Sequence, residues 1–86
     1  MPFTLSEHAK EEIVNRQLSA ELVHSVVTNP EQIVPSTNGR NVYQSRKLMN
    51  GKQFLVRVVV KGDVDPHIVI TVYRTSQIER YWVTAQ

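Results

Sequence analysis

"QFLVRVVVKGDVDPHIVITVYR", residues 53–74, holds two runs in which apolar residues recur at every second position, separated by the turn-forming "GDVDP". In the first run Phe54, Val56, Val58 and Val60 make one face wholly apolar, while Leu55, Arg57, Val59 and Lys61 make the other. In the second run Ile68, Ile70 and Val72 belong with the apolar face. His67, Val69, Thr71 and Tyr73 then share the opposite face with Arg57. Two antiparallel strands, 53–61 and 67–74, are predicted, with one buried face and one mixed face.

Toward the N-terminus, residues 40–49 read as a polar strand that turns at "NGK", residues 50–52. A two-residue turn would pair Met49 with Lys52 and direct Tyr43, Ser45 and Lys47 into the core. A three-residue turn pairs Met49 with Gln53, sends Val42 and Leu48 inward, and places Tyr43, Ser45 and Lys47 outward beside Arg57. The second register spares the core a lysine and a serine and is the one preferred here. Its cost is Gln44 and Arg46 on the inner side, which an edge strand tolerates.

The first third of the chain changes period from two to that of a helix. Thr4 with Glu7 fits a capping box, with Ser6 as a rival cap, and Leu5, Ala9, Ile13 and Val14 follow at helical spacing. Ser19 caps a second helix carrying Leu22, Val23, Val26 and Val27, which "TNP" at 28–30 ends. "EQIVPSTNGR", residues 31–40, is a connector with room for a brief strand at Ile33 and Val34. Residues 76–82 fit a short helix or a further strand. The predicted fold is a single α+β domain over residues 1–86 in the order α-α-β-β-β. Its two N-terminal helices pack on one face of a small antiparallel sheet.

Composition bounds the chemistry. At 86 residues, 41% of them apolar and 21% charged, the chain has ordinary globular make-up. It has no cysteine, which excludes disulfides and thiolate chemistry. No apolar run approaches the roughly 20 residues a membrane span requires, and the N-terminus lacks the apolar region of a secretory signal, so a cytoplasmic location is expected. Residues 1–36 carry two cations and five carboxylates, whereas residues 37–86 carry eight and three. That asymmetry suits an anionic partner.

With the preferred register, Arg57, Lys47, Thr71, Tyr73, Tyr43 and His67 converge on one surface. Cations among aromatic rings suit a single-stranded nucleic acid, the cations meeting phosphates and the rings stacking on bases. The plainer reading is that threonine and tyrosine are good strand formers and that lysine and arginine solubilise strand edges. "DVDPH", residues 63–67, offers Asp63, Asp65 and His67 as metal ligands but no fourth, so neither a metal nor a cofactor is assigned.

"SEHAKEEIVNRQLSAELVHSVVTNPEQIV" at 6–34, "FLVRVVV" at 54–60 and "ITVY" at 70–73 together resemble the RelE/ParE superfamily of small bacterial toxins, closest to an outlying group of uncharacterised RelE-like domains. The resemblance covers nearly the whole chain through motifs that are each short. It implies a cytoplasmic toxin neutralised by a small cognate antitoxin. Many relatives are metal-independent endoribonucleases, some acting on ribosome-associated mRNA, and ParE-type relatives inhibit DNA gyrase instead. The group's patterned polar positions fall on His8, Arg16, Arg57, Thr71 and Tyr73.

In the ribonuclease reading Arg57 faces the phosphorane, and Tyr73 and a histidine share the acid and base roles. Thr71 positions the substrate, and Arg16, Lys47, His67 and Tyr43 bind RNA. His8 either reacts or fixes its helix by hydrogen bonding. The tail "SQIERYWVTAQ" departs from the nuclease pattern in offering only Arg80 as a cation. The alternative implied is a gyrase inhibitor or a degenerate module that only binds a partner.

Overall fold

Ser6, not Thr4, begins the first helix, and it does so while tied to the sheet. In the structure, a computed structural model that describes residues 3–84, the Ser6 hydroxyl accepts from the Ala9 N–H at 3.0 Å and donates to the Ile70 carbonyl at 2.9 Å. The Ser6 N–H reaches the Val69 carbonyl. These bonds fix where α1 (Glu7–Asn15) leaves the sheet, and they place Thr4 in a strand, β1 (Phe3–Leu5). Ala9 and Ile13 are the buried residues of α1, whereas Val14 points to solvent. α2 (Ala20–Thr28) is capped by the Ser19 hydroxyl on the Leu22 N–H and buries Val23, Val26 and Val27.

Four further strands and a last helical turn complete the chain: β2 (Gln32–Pro35), β3 (Arg40–Met49), β4 (Lys52–Lys61), β5 (His67–Thr75) and α3 (Ile78–Tyr81). The strands form one sheet in the order β1-β5-β4-β3-β2. β1 runs parallel to β5, with Phe3 opposite His67 and Leu5 opposite Val69, and every other pairing is antiparallel. The predicted small antiparallel sheet of three strands is therefore corrected to a mixed sheet of five. Thr4 and Leu5, expected at the head of the first helix, lie in β1 instead. Three residues carry too little periodicity to declare themselves a strand, and β1 exists because Ser6 and β5 hold it. The brief strand at Ile33 and Val34 becomes a full edge partner of β3.

The register of β3 on β4 is the one the sequence reading set aside. Met49 pairs with Lys52 across a two-residue turn in which Asn50 (φ 52°) and Gly51 (φ 76°) are both left-handed, the type I′ geometry that asparagine–glycine favours. Tyr43, Ser45 and Lys47 thus lie on the face of Val58, Val56 and Phe54 that the helices cover. The apparent penalty for this face is small. The buried Ser45 hydroxyl accepts from the Glu31 N–H at 3.0 Å, and Lys47 sits near the hairpin end, only half-buried. Val42, Gln44, Arg46 and Leu48 turn to the outer face instead.

A second irregularity moves His67. Val59 pairs with Thr71 but Val60 pairs with Val69, so Ile70 is the extra residue of a bulge in β5. Beyond it the alternation flips. Val69 joins the core with Val60, His67 follows it to that face, and Ile68 lies outward opposite Lys61. Thr71 and Tyr73 lie before the flip and stay on the face of Arg57.

Candidate functional site

Neighbouring positions on three strands build the outer face. Gln44 on β3 lies opposite Arg57 on β4, and Arg57 lies opposite Tyr73 on β5. Side chains at paired positions project to the same side, so these three touch. Arg57 Nε donates to Gln44 Oε1 at 2.9 Å, and Arg57 Nη1 donates to the Tyr73 hydroxyl at 2.5 Å. The guanidinium also lies 4.3 Å from the ring centroid of Tyr81, which α3 delivers from the C-terminal side, while Tyr73 and Tyr81 meet edge to face. Two of the five guanidinium donors are engaged, and among the described residues no carboxylate pairs with Arg57. A half-buried cation is thus fixed in orientation while its charge is left uncompensated.

Gln44 is the fixed point of this arrangement. It is fully buried, and its amide donates to Gln32 Oε1 at 2.7 Å and to the Tyr81 carbonyl at 3.2 Å. Gln32 in turn holds Val83 by both backbone groups, donating to its carbonyl at 2.6 Å and accepting from its N–H at 3.1 Å. The segment after β5 is thereby strapped across the outer face, where Leu55 is fully buried. Trp82 adds its ring beneath the Arg46 guanidinium at 4.2 Å. Arg40 and Lys61, paired across β3 and β4, put two more cations on the same face.

Among the described residues Arg46 is the one cation of this face with a carboxylate partner, a forked pair to Glu31 with two bonds of 3.1 Å. The Arg46 side chain, then its N–H, hold the Glu31 carboxyl below its ordinary range. A folded-state value below the unfolded one contributes stability at pH above the unfolded glutamate value, and that contribution is lost as pH falls through the folded value. Wild type and Glu31→Gln are therefore expected to differ in urea midpoint at neutral pH and to converge below about pH 4. An unchanged gap at acid pH would assign the difference to something other than this pair.

Of the eight residues singled out from sequence, the structure brings together Arg57, Tyr73 and, one step along β5, Thr71. His8 stands exposed on α1, 3.9 Å from Glu12. Arg16 ends the same helix, paired with Glu12. Lys47, His67 and Tyr43 take the opposite face of the sheet for the reasons of register and bulge given above, and Tyr43 is part of the core. His67 Nδ1 lies 2.9 Å from the Val64 carbonyl. Gln44 and Tyr81 were missed. The signal for Gln44 was the asparagine–glycine turn, whose preferred geometry sends it outward. Tyr81 sits in a four-residue helix with no pattern to read.

A family model described as a domain of unknown function (DUF4258) matches residues 5–74. The chain belongs to that family. No curated protein and no solved structure matches it. The matched stretch contains Gln44, Arg57, Thr71 and Tyr73, whereas Tyr81 and Trp82 lie beyond its end. Among the described residues no helix is long and apolar enough to cross a membrane, and no three His, Asp or Glu side chains gather as a metal would require.

Proposed function

We propose that this chain is the toxin of a bacterial toxin–antitoxin pair, acting in the cytoplasm on RNA through the outer sheet face. The observation that carries the reading is Arg57, an oriented guanidinium without a carboxylate partner, whose remaining donors are free for phosphate oxygens. The toxin class rests on the resemblance of residues 6–34, 54–60 and 70–73 to RelE/ParE toxins, and the basic outer face with Arg40 and Lys61 suits a polyanion.

In this reading Arg57 takes the phosphodiester through its Nη2 side and stabilises the charge that builds on the phosphorane. The 2′-hydroxyl oxygen bonds to phosphorus, its proton passes to water, and the bond from phosphorus to the 5′-oxygen breaks. Tyr73 protonates that leaving oxygen. Its hydroxyl accepts from Arg57, which leaves its own proton to give. Thr71 lines the approach along β5. His8 has no place here, because α1 holds it away from Arg57.

The test is induced expression of wild type beside Arg57→Ala and Tyr73→Phe, with growth and total RNA followed together. Growth arrest with RNA fragments in wild type alone is the expected result. Arrest with intact RNA would move the target to gyrase.

One observation favours a second reading. Tyr81 lies over Arg57 and Trp82 under Arg46, so the C-terminal segment already occupies part of the face. A non-catalytic module that recognises a partner protein would look the same, and folded wild-type protein that neither arrests growth nor cuts RNA would favour it.

A further inference from the structure

On the helix-covered side of the sheet, away from Arg57, a cleft of about 350 Å³ opens at the C-terminal end of α1, lined by Asn15, Arg16, Gln17 and Arg74. Arg74 stands on β5 opposite Val56, with its guanidinium 4.9 Å from the Phe54 ring centroid and one weak contact to the Met49 sulfur. Among the described residues no carboxylate pairs with it. Lys52 lies over the same Phe54 ring at 5.6 Å, so a further cation stands beside the cleft. Among the described residues the carboxylate that pairs with Arg16 is Glu12.

Gln17 points to use of this cleft. The Leu18 N–H bonds to the Ile13 carbonyl and the Gln17 N–H to the Val14 carbonyl, the backbone closure of a helix end in which the residue after the cap is left-handed. Glycine is favoured there, and yet the position holds glutamine at φ 55°. Glycine would make both backbone bonds equally well, so the side chain is retained at a conformational cost, and it lines the cleft. The same bonds occupy carbonyls whose partial negative charge would otherwise oppose an anion at this helix end.

We infer that the cleft binds a phosphate group, with Arg74 and Arg16 providing forked donors and the amides of Gln17 and Asn15 completing the shell. The group is either a phosphodiester of RNA or a free phosphate-bearing ligand, and the site stands independently of the function proposed for the outer face.

The experiment follows the arginine Nε–H resonances of Arg74 and Arg16 during titration with inorganic phosphate, a nucleoside monophosphate and a short single-stranded oligoribonucleotide. Saturable shifts at both arginines are expected, weakened at least tenfold by Arg74→Gln. Gln17→Gly is expected to raise the urea midpoint while weakening phosphate binding, so loss of binding in it cannot be loss of fold. Arg57→Ala leaves the inorganic phosphate shifts at Arg74 and Arg16 unchanged, which separates failure of the cleft from failure of the outer face. Tighter binding of the oligoribonucleotide than of the monophosphate identifies RNA backbone as the source, and equal binding identifies a free ligand. Arg74 and Arg16 resonances that stay still with all three probes overturn the site.

Discussion

Replacing Gln44 with leucine is expected to cost the fold about 2–4 kcal/mol, because a side chain of similar bulk remains and its three hydrogen bonds do not. Leucine fills nearly the same volume, so the packing around position 44 changes little. What changes is satisfaction. Arg57 Nε loses its acceptor, the Tyr81 carbonyl loses its donor, and Gln32 Oε1 keeps only the Val83 N–H. Half-buried groups left without partners each cost about 1–3 kcal/mol, and the one on Arg57 belongs to a charged group. The damage should not spread evenly. β3, β4 and β5 keep their ladder, whereas residues 78–83 lose the Gln44 bond to the Tyr81 carbonyl and are left with the Gln32–Val83 bonds and their ring contacts. Urea unfolding followed by circular dichroism gives the total cost. Trp82 emission and exchange at the Val83 N–H report the segment, and both should show it opening well before the sheet unfolds. A midpoint equal to wild type, with Val83 still protected, would mean that Gln32 and the rings of Tyr81 and Trp82 hold the strap without Gln44.

The dependence of the outer face on Gln44 explains what the sequence could and could not disclose. The first two helices are legible because the apolar residues keep helical spacing and Ser19 announces the second, whereas the Thr4–Glu7 pattern places the start of the first helix two residues before Ser6. The strands are legible from alternation. Which way each strand faces is less so, because it turns on single-residue choices. At the hairpin, the preference of Asn50–Gly51 for a two-residue turn was weighed against an inward Lys47 and Ser45. The turn won, since Ser45 finds a backbone partner and Lys47 stands near the hairpin end.

In β5 the bulge falls opposite Val58-Val59-Val60, a run so uniform that it carries no mark of where alternation slips. Arg57, Thr71 and Tyr73 keep company because all three lie on one side of that slip. His67 lies on the other. β1 and α3, of three and four residues, are shaped by what they pack against and leave no period of their own to read. The strap that ties Tyr81 to Arg57 is accordingly the part of the site that only the structure discloses.

Arg57→Lys is the sharpest test of what the outer face does, since it keeps the charge and removes the fork. A lysine ammonium cannot hold Gln44 and Tyr73 at fixed angles and still present parallel donors to a phosphate. If the guanidinium stabilises the phosphorane, single-turnover cleavage of a labelled oligoribonucleotide should fall about a hundred- to a thousandfold, as when one oxyanion donor is removed. Binding of the same oligonucleotide, read by anisotropy across a salt series, should weaken far less, because one positive charge remains to meet the backbone. Tyr73→Phe should reproduce the loss of rate, about a hundred- to ten-thousandfold for a missing proton donor, with binding close to wild type. The two variants therefore share a signature, rate lost and affinity kept, that a general disturbance of the face would not produce. If Arg57→Lys cleaves as wild type does, the guanidinium is a point charge and the orientation imposed by Gln44 serves the strap alone. If every variant and wild type bind RNA without cutting it, the free donors of Arg57 serve recognition, and Tyr81 is their permanent neighbour, not a group displaced by substrate.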